Sequence, residues 1–306
     1  MMSAYTLCAS LVAIITMLHS GHTSAQAPNL LVAPSRLTIA AQPGSNFELP
    51  VYWSPAASPS ALTIVALHGC GGLFDSRGRM QRRETAFIRR ANDAGHHVLL
   101  VDSFTPRGER EICTTPVNRR SIRVVDRRED VLRVVRWLES GSHGIAGLRS
   151  SNGQAPGGRD ASLRYIVLGW SNGASTVLET ADPQRWPANL VRPLGLAAFY
   201  PGCRPYVRAW PAPLAPMRLY LGEADNWTPA SECQRMVEAL RSDSDVRFTL
   251  YPQANHGFDG PDGPQRERTE LRTGRDGKPI RTGPEPMARE RAYRELFEWL
   301  GEQARN

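Results

Sequence analysis

The sequence predicts an α/β domain with one doubly wound, mostly parallel sheet and helices on both faces. Short apolar runs alternate along the chain with stretches of helical periodicity, and the runs are apolar on both faces, as in buried parallel strands. The length of 306 residues, with 41% hydrophobic and 22% charged residues, suits one large α/β domain or two small ones. The alternation favours a single sheet.

The first 25 residues have the layout of a secretory signal peptide. They contain no Lys, Arg, Asp or Glu, and an apolar run from Leu7 to Leu18 precedes small and polar residues. The run is too short for a membrane span, which needs about 20 apolar residues. Cleavage is expected after Ala25, because a cut after Ala27 would leave Pro28 beside it. We therefore expect export to the periplasm or beyond the cell and no membrane segment in the mature chain, 26–306; the alternative is a buried N-terminal helix.

The apolar runs and helical patterns follow in order. The predicted strands are 61–67, 98–101, 165–168, 196–200, 219–221 and 248–251, with an antiparallel edge strand over 46–53. The predicted helices are marked by 80–94, by 131–138, by the residues after Ser171, by 230–241 and by 287–302. Two Gly- and Pro-rich stretches, 141–162 and 260–286, are expected to be surface loops or lids.

The charge is basic but dispersed. The formal net charge is +7, and Lys278 is the only lysine. Arginines stand among acids, as in Arg127-Arg128-Glu129-Asp130, so we interpret the basicity as a solvated surface and expect no nucleic-acid partner. No cofactor and no metal ion are expected.

Gly169-Trp170-Ser171-Asn172-Gly173 is the strongest chemical signal. It follows a predicted strand and begins a predicted helix, the context in which G-x-S-x-G places a nucleophilic serine on a sharp turn. The helix N-terminus behind the serine favours developing negative charge.

A base and an acid follow Ser171 in the order that this turn requires. His256 comes directly after the last predicted strand, whereas His68 precedes the serine. Asp225 leaves the preceding strand in a turn, with Glu223 as the rival acid. The sequence predicts a Ser171, His256, Asp225 triad.

Two backbone N–H groups are expected to form an oxyanion hole. One belongs to Asn172, the residue after the nucleophile, and the other to Cys70 in the loop His68-Gly69-Cys70-Gly71-Gly72. Glycines there let the backbone approach a substrate closely, and His68 is expected to brace the loop.

Together these segments resemble the dienelactone hydrolase family over about 62–300. The motifs that carry the resemblance are LHGCGG at 67–72, DSFTPRG at 102–108, GWSNG at 169–173, GEADNWTP at 222–229 and NHGF at 255–258. The resemblance implies an α/β-hydrolase fold with a sheet of the eight-stranded type and the same triad. The namesake enzymes use a cysteine nucleophile, so Ser171 favours a general esterase.

The resemblance also bears on substrate binding. An arginine that binds substrate carboxylate in the family falls near Arg107. Only 204–216 is available for a cap domain after the sixth strand, which implies an open site without a large cap. Trp227 is expected at its rim.

Four cysteines remain after Cys8 leaves with the signal peptide: Cys70, Cys113, Cys203 and Cys233. An even number in an exported chain indicates two disulfides with three possible connectivities, or else free buried thiols. The strand order of the implied fold places Cys70 and Cys113 after adjacent strand ends, and likewise Cys203 and Cys233. The resemblance therefore implies the pairs Cys70–Cys113 and Cys203–Cys233.

The expected function is hydrolysis of a small-molecule carboxylic ester or lactone through an acyl-enzyme. A peptidase or an acyltransferase with the same triad is the alternative within enzymes. A non-catalytic binding protein on a hydrolase fold is the alternative outside them, although a binder has no need of all three residues.

Overall fold

The computed structural model describes residues 33–42, 45–56, 62–145, 163–240, 244–271 and 273–305. The signal peptide predicted over 1–25 lies outside them, as does most of the 141–162 stretch. Ala33–Asn306 forms one compact unit.

An eight-stranded sheet runs through this unit. Its strands are β1 Ser35–Ile39, β2 Leu49–Ser54, β3 Thr63–Leu67, β4 His97–Val101, β5 Tyr165–Trp170, β6 Gly195–Phe199, β7 Met217–Gly222 and β8 Val246–Tyr251. Their order is β1-β2-β4-β3-β5-β6-β7-β8, and every pairing from β4 to β8 is parallel. The central strands β3 and β5 are buried along their whole length, which explains their unbroken apolar sequences. The predicted α/β-hydrolase sheet is confirmed.

The edge of the sheet differs from the prediction. The segment predicted as an antiparallel edge becomes β2, which pairs antiparallel with both β1 and β4. The edge strand is β1, and three of its five residues are exposed. A strand that buries so little gives no apolar run, so the sequence pattern did not reveal it.

In the described part of the chain, five α-helices cover the two faces of the sheet. They are α1 Arg82–Asp93, α2 Val124–Ser140, α3 Asn172–Thr180, α4 Ala230–Glu238 and α5 Pro286–Arg305. Apolar residues of α2, α3 and α4 pack on one face of the sheet, and those of α1 and α5 pack on the other. Each helix thus buries one stripe against the strands. Among the described helices, none has the length and apolarity to cross a membrane.

The charged run in α2 was predicted to be a solvated surface. The structure corrects this prediction, because part of the run is buried. Arg127 and Asp130 are buried, at 0% and 1% exposure, because they lie three residues apart on the inner face of the helix. Arg107 forms a bidentate ion pair with Asp130, at 2.7 and 2.9 Å. Only part of the arginine excess is therefore a surface property.

Two disulfides join segments that follow adjacent strands, and one of the four cysteines, Cys233, lies on α4. They link Cys70 to Cys113 and Cys203 to Cys233, with Cα–Cα distances of 4.9 and 5.0 Å. These are the pairs that the resemblance implied. Each bond ties down a loop at the carboxyl ends of the parallel strands.

Candidate active site

The turn between β5 and α3 presents Ser171. Its backbone has φ 52° and ψ −114°, a strained conformation for a residue with a side chain. A Cβ on Gly169 would lie 2.4 Å from the carbonyl carbon of Gly173, and a Cβ on Gly173 would lie 2.1 Å from the carbonyl oxygen of Leu67. The flanking glycines are therefore steric necessities of the turn.

Ser171, His256 and Asp225 meet at the carboxyl edge of the sheet. His256 Nε2 lies 2.8 Å from Ser171 Oγ, and His256 Nδ1 lies 2.8 Å from Asp225 Oδ2. Asp225 follows β7 and His256 follows β8, so neighbouring strand ends bring them together. The rival acid Glu223 is exposed. This arrangement is able to withdraw a proton from the Ser171 hydroxyl.

Thr228 binds the carboxylate of Asp225 through both its backbone amide and its hydroxyl. The amide N–H groups of Trp227 and Thr228 donate to Asp225 Oδ1, each at 2.9 Å. The Thr228 hydroxyl lies 2.9 Å from Asp225 Oδ2 and 3.1 Å from His256 Nδ1. The sequence analysis missed this residue, although it lies in the same motif as Asp225.

Two aromatic rings flank His256. The ring centroids of Tyr200 and Trp227 each lie 4.6 Å from that of the imidazole. Trp227 is half-buried and also packs toward the Cys70–Cys113 disulfide, so it joins the base to the predicted oxyanion loop. A role for Trp227 at the rim of the site stays a prediction.

A buried polar network holds Tyr200. Its hydroxyl donates to Asp259 at 2.5 Å, Tyr293 donates to the same carboxylate at 2.7 Å, and Arg83 donates to the Tyr200 hydroxyl at 3.3 Å. Burial, together with the Asp259 charge, raises the pKa of Tyr200 well above its ordinary value, so the phenol keeps its proton. Tyr200 itself has φ 42°. This network could not be predicted from a local sequence pattern, because its members are far apart in the chain.

The predicted oxyanion loop lies against the nucleophile. A Cβ on Gly69 would lie 3.6 Å from Ser171 Cβ and 3.6 Å from the Arg83 guanidinium. The Cys70 carbonyl accepts from the Ile112 amide at 2.8 Å. The amide N–H groups of Cys70 and Asn172 have no acceptor among the described residues, which leaves both able to bind an oxyanion.

Arg127 connects the two sides of this hole. Its guanidinium donates to Asn172 Oδ1 at 2.7 Å and to the His68 carbonyl at 2.9 Å. Burial lowers its pKa to about 9, so it remains a cation at neutral pH. One side chain thus fixes the residue after the nucleophile relative to the glycine-rich loop.

Replacing Arg127 with methionine is expected to lower kcat for ester hydrolysis by about 10²-fold, the cost of a misplacement of about 1 Å in a catalytic group. Methionine has a side chain of similar length, but it leaves the side-chain oxygen Oδ1 of Asn172 and the backbone carbonyl of His68 without their hydrogen-bond donor. Steady-state kinetics test this, with Arg136→Met at an exposed position of the same helix as the control. An unchanged kcat in a folded Arg127→Met variant would contradict the positioning role.

His68 is buried in the predicted oxyanion loop and contacts its backbone. Its Nδ1 lies 2.8 Å from the Gly69 carbonyl, and its ring packs edge-on against Phe104. Burial and then the Arg127 charge hold its pKa well below the ordinary value. The folded protein therefore keeps this imidazole neutral in mildly acidic solution.

We expect the free energy of unfolding to fall as the pH is lowered below about 6.5, by about 1.4 kcal/mol per pH unit for this group. The free energy of unfolding falls in acid because the unfolded chain binds a proton at His68, whereas in the folded chain the lowered pKa keeps this imidazole neutral. Urea unfolding at pH 7.5 and 5.5 tests it. The fall should be smaller in His68→Gln, and an equal fall in both proteins would refute the assignment.

Arg107, the predicted carboxylate ligand, is held by protein groups. Besides its ion pair with Asp130, it donates to the Ser103 carbonyl at 2.7 Å and lies over the Phe47 ring. The guanidinium has few donors left for a substrate. A substrate role for Arg107 stays a prediction.

The stretch 260–286 borders the site. It forms a hairpin of β9 Arg266–Glu267 and β10 Arg281–Thr282, and the Gly283 amide donates to the His256 carbonyl at 3.0 Å. The Arg268 guanidinium lies 5.9 Å from the Trp227 ring. Among the described residues, no group of His, Cys, Asp and Glu is arranged to hold a metal ion.

Comparison with known proteins agrees with this geometry. Residues 184–304, which include Asp225 and His256, match the model of the dienelactone hydrolase family. No curated protein matches the chain.

Several solved structures share the fold. A presumed dienelactone hydrolase from Klebsiella pneumoniae is 16% identical with a TM-score of 0.57, over 87% of this chain and 97% of that one. Esterase 2 from Thermogutta terrifontis is 17% identical with a TM-score of 0.57, over 90% and 97%. An α/β serine hydrolase homologue from Coxiella burnetii is 16% identical with a TM-score of 0.51, over 74% and 91%.

The predicted resemblance is thereby confirmed: the chain has the α/β-hydrolase fold, and its C-terminal part, 184–304, matches the model of the dienelactone hydrolase family.

Proposed function

We propose that the chain hydrolyses small carboxylic esters or lactones through an acyl-enzyme on Ser171. The observation that carries the proposal is the continuous hydrogen-bonded series from Ser171 Oγ through His256 to Asp225, with both links at 2.8 Å. A serine with a positioned base and an oriented acid is the arrangement that acyl transfer requires.

In the proposed reaction, His256 Nε2 accepts the hydroxyl proton as Ser171 Oγ forms a bond to the carbonyl carbon. The carbonyl oxygen takes the negative charge and accepts hydrogen bonds from the amides of Cys70 and Asn172. The imidazolium, stabilised by Asp225, then gives its proton to the leaving oxygen as the C–O bond breaks. In a lactone this oxygen stays attached to the acyl group.

Water completes the cycle by the same route. His256 removes a proton from the water as its oxygen attacks the acyl-enzyme carbonyl, and the proton returns to Ser171 Oγ as the acid leaves. The flanking rings of Tyr200 and Trp227 keep the imidazole in place through both half-reactions.

We also infer that this enzyme acts after export and cleavage behind Ala25. Two disulfides among the four cysteines of the mature chain support that inference, because such bonds persist in the periplasm or outside the cell. Purification from a periplasmic fraction or medium, with the N-terminus sequenced, tests it.

A graded series of p-nitrophenyl esters, with simple lactones beside it, tests the reaction. Paraoxon supplies a second readout, since it phosphorylates Thermogutta terrifontis esterase 2. We expect measurable ester turnover and one diethylphosphoryl group per chain, mapped by mass spectrometry to Ser171. If the protein neither hydrolyses any of these esters nor reacts with paraoxon, the proposal that it is a serine hydrolase is wrong.

A further inference from the structure

A pocket lies between the segment after β6, helix α4 and the stretch 260–286. It has a volume of about 650 Å³, within the range of small-molecule pockets. Four arginine side chains and one carboxylate line it: Arg204, Arg208, Arg235, Arg275 and Glu232. None of these residues belongs to the triad or to the oxyanion hole.

The pocket carries an excess of positive charge. Of the four guanidinium groups, Arg275 has an acidic partner, Glu232, at 3.9 Å. Arg204, Arg208 and Arg235 form no ion pair with any residue in the described part of the chain. Arginine stays protonated at all physiological pH values, so these charges repel one another until an anion enters.

The walls of the pocket are covalently joined. Arg204 follows Cys203 directly, and Glu232 and Arg235 flank Cys233 on α4. The disulfide between the two cysteines is buried and holds their Cα atoms 5.0 Å apart. Two arginine-bearing segments are thus held together before any ligand binds, which lowers the entropy lost on binding.

The fourth arginine ties the pocket to the loop of the catalytic acid. The Arg275 amide donates to the Asn226 carbonyl at 2.9 Å, and the Asn226 side chain donates to the Pro279 carbonyl at 3.0 Å. Asn226 stands between Asp225 and Trp227. The pocket therefore opens at the same edge of the sheet as the proposed site of hydrolysis.

We propose that this pocket binds a small polyanion, a compound with two or three carboxylate or phosphate groups. Planar guanidinium groups bind carboxylate and phosphate in a bidentate way, and several of them around one cavity match a ligand with several such groups. Glu232 offsets part of the positive charge of the pocket through its contact with Arg275. The proposal does not require the chain to be a hydrolase.

Calorimetric titration of the full mature chain with tricarballylate at low ionic strength tests the binding, with inorganic phosphate as a second probe. The double variant Arg208→Gln/Arg235→Gln is expected to weaken binding by at least about tenfold. Glu232→Gln is expected to tighten it several-fold. The matched control is Arg89→Gln/Arg294→Gln, which removes the same charge at exposed positions on α1 and α5.

Absence of binding to the wild-type chain would overturn the proposal, and so would an equal weakening in both double variants. All four substituted arginines are exposed, so the variants should remain folded. The effect of tricarballylate on ester turnover then shows whether the bound anion is part of the ester substrate or a separate ligand. A raised KM means that the pocket receives part of the substrate, and an unchanged KM with retained binding means a separate ligand.

Discussion

Replacing Ser171 with alanine is expected to lower kcat for ester hydrolysis by about 10⁶-fold and to abolish labelling by paraoxon. In the described part of the chain, Ser171 is the one residue whose hydroxyl lies within hydrogen-bonding distance of His256 Nε2, whereas the Thr228 hydroxyl contacts Nδ1. The Ser175 hydroxyl, one turn later, donates to the Ser171 carbonyl and accepts from the Gly202 amide. Alanine keeps the Cβ of serine, so the strained turn is unchanged and the loss reports the nucleophile.

Ser175→Ala is the matched control, because it removes a hydroxyl from the same helix without touching His256. It should keep turnover within a few-fold of the wild-type chain. Thermal unfolding of both variants checks that they are folded. Turnover or labelling that survives in Ser171→Ala would show that the reacting serine is another one.

The triad could be predicted from the sequence because it follows from chain order. Ser171, Asp225 and His256 each lie within five residues of the end of a parallel strand, and the carboxyl ends of such strands meet at one edge of the sheet. Short apolar runs mark those strands well enough to locate their ends. The disulfide pairs followed from the strand order that the family resemblance implied.

The buried polar residues that pack around the triad could not be predicted from chain order. Tyr200 meets Asp259 and Tyr293 only because β6, the loop after β8 and α5 pack together. Arg127 and Asp130 look like other charged pairs of a surface helix until the rotation of α2 on the sheet is known. Burial of a charge depends on partners distant in sequence, which a local pattern does not contain.

Replacing Asp225 with asparagine is expected to lower kcat by about 10⁴-fold while leaving the fold and KM nearly unchanged. The amides of Trp227 and Thr228 donate to Oδ1, so the asparagine carbonyl oxygen will occupy that position and its NH₂ group will face His256. An NH₂ donor there requires His256 Nδ1 to accept. The imidazole proton then moves to Nε2, the atom that must take the proton of Ser171.

Glu223→Gln is the matched control, because it removes the same charge two residues earlier from an exposed side chain. It should keep full turnover, whereas Asp225→Asn should lose it. The loss should lie in kcat, since asparagine preserves the volume of the site. Since the defect is a misplaced proton, Asp225→Asn should recover part of its rate at alkaline pH, where hydroxide from the solvent takes the Ser171 proton in place of His256. A variant with wild-type kcat at neutral pH would mean that Asp225 does not orient His256 for catalysis and that its buried hydrogen bonds only stabilise the fold.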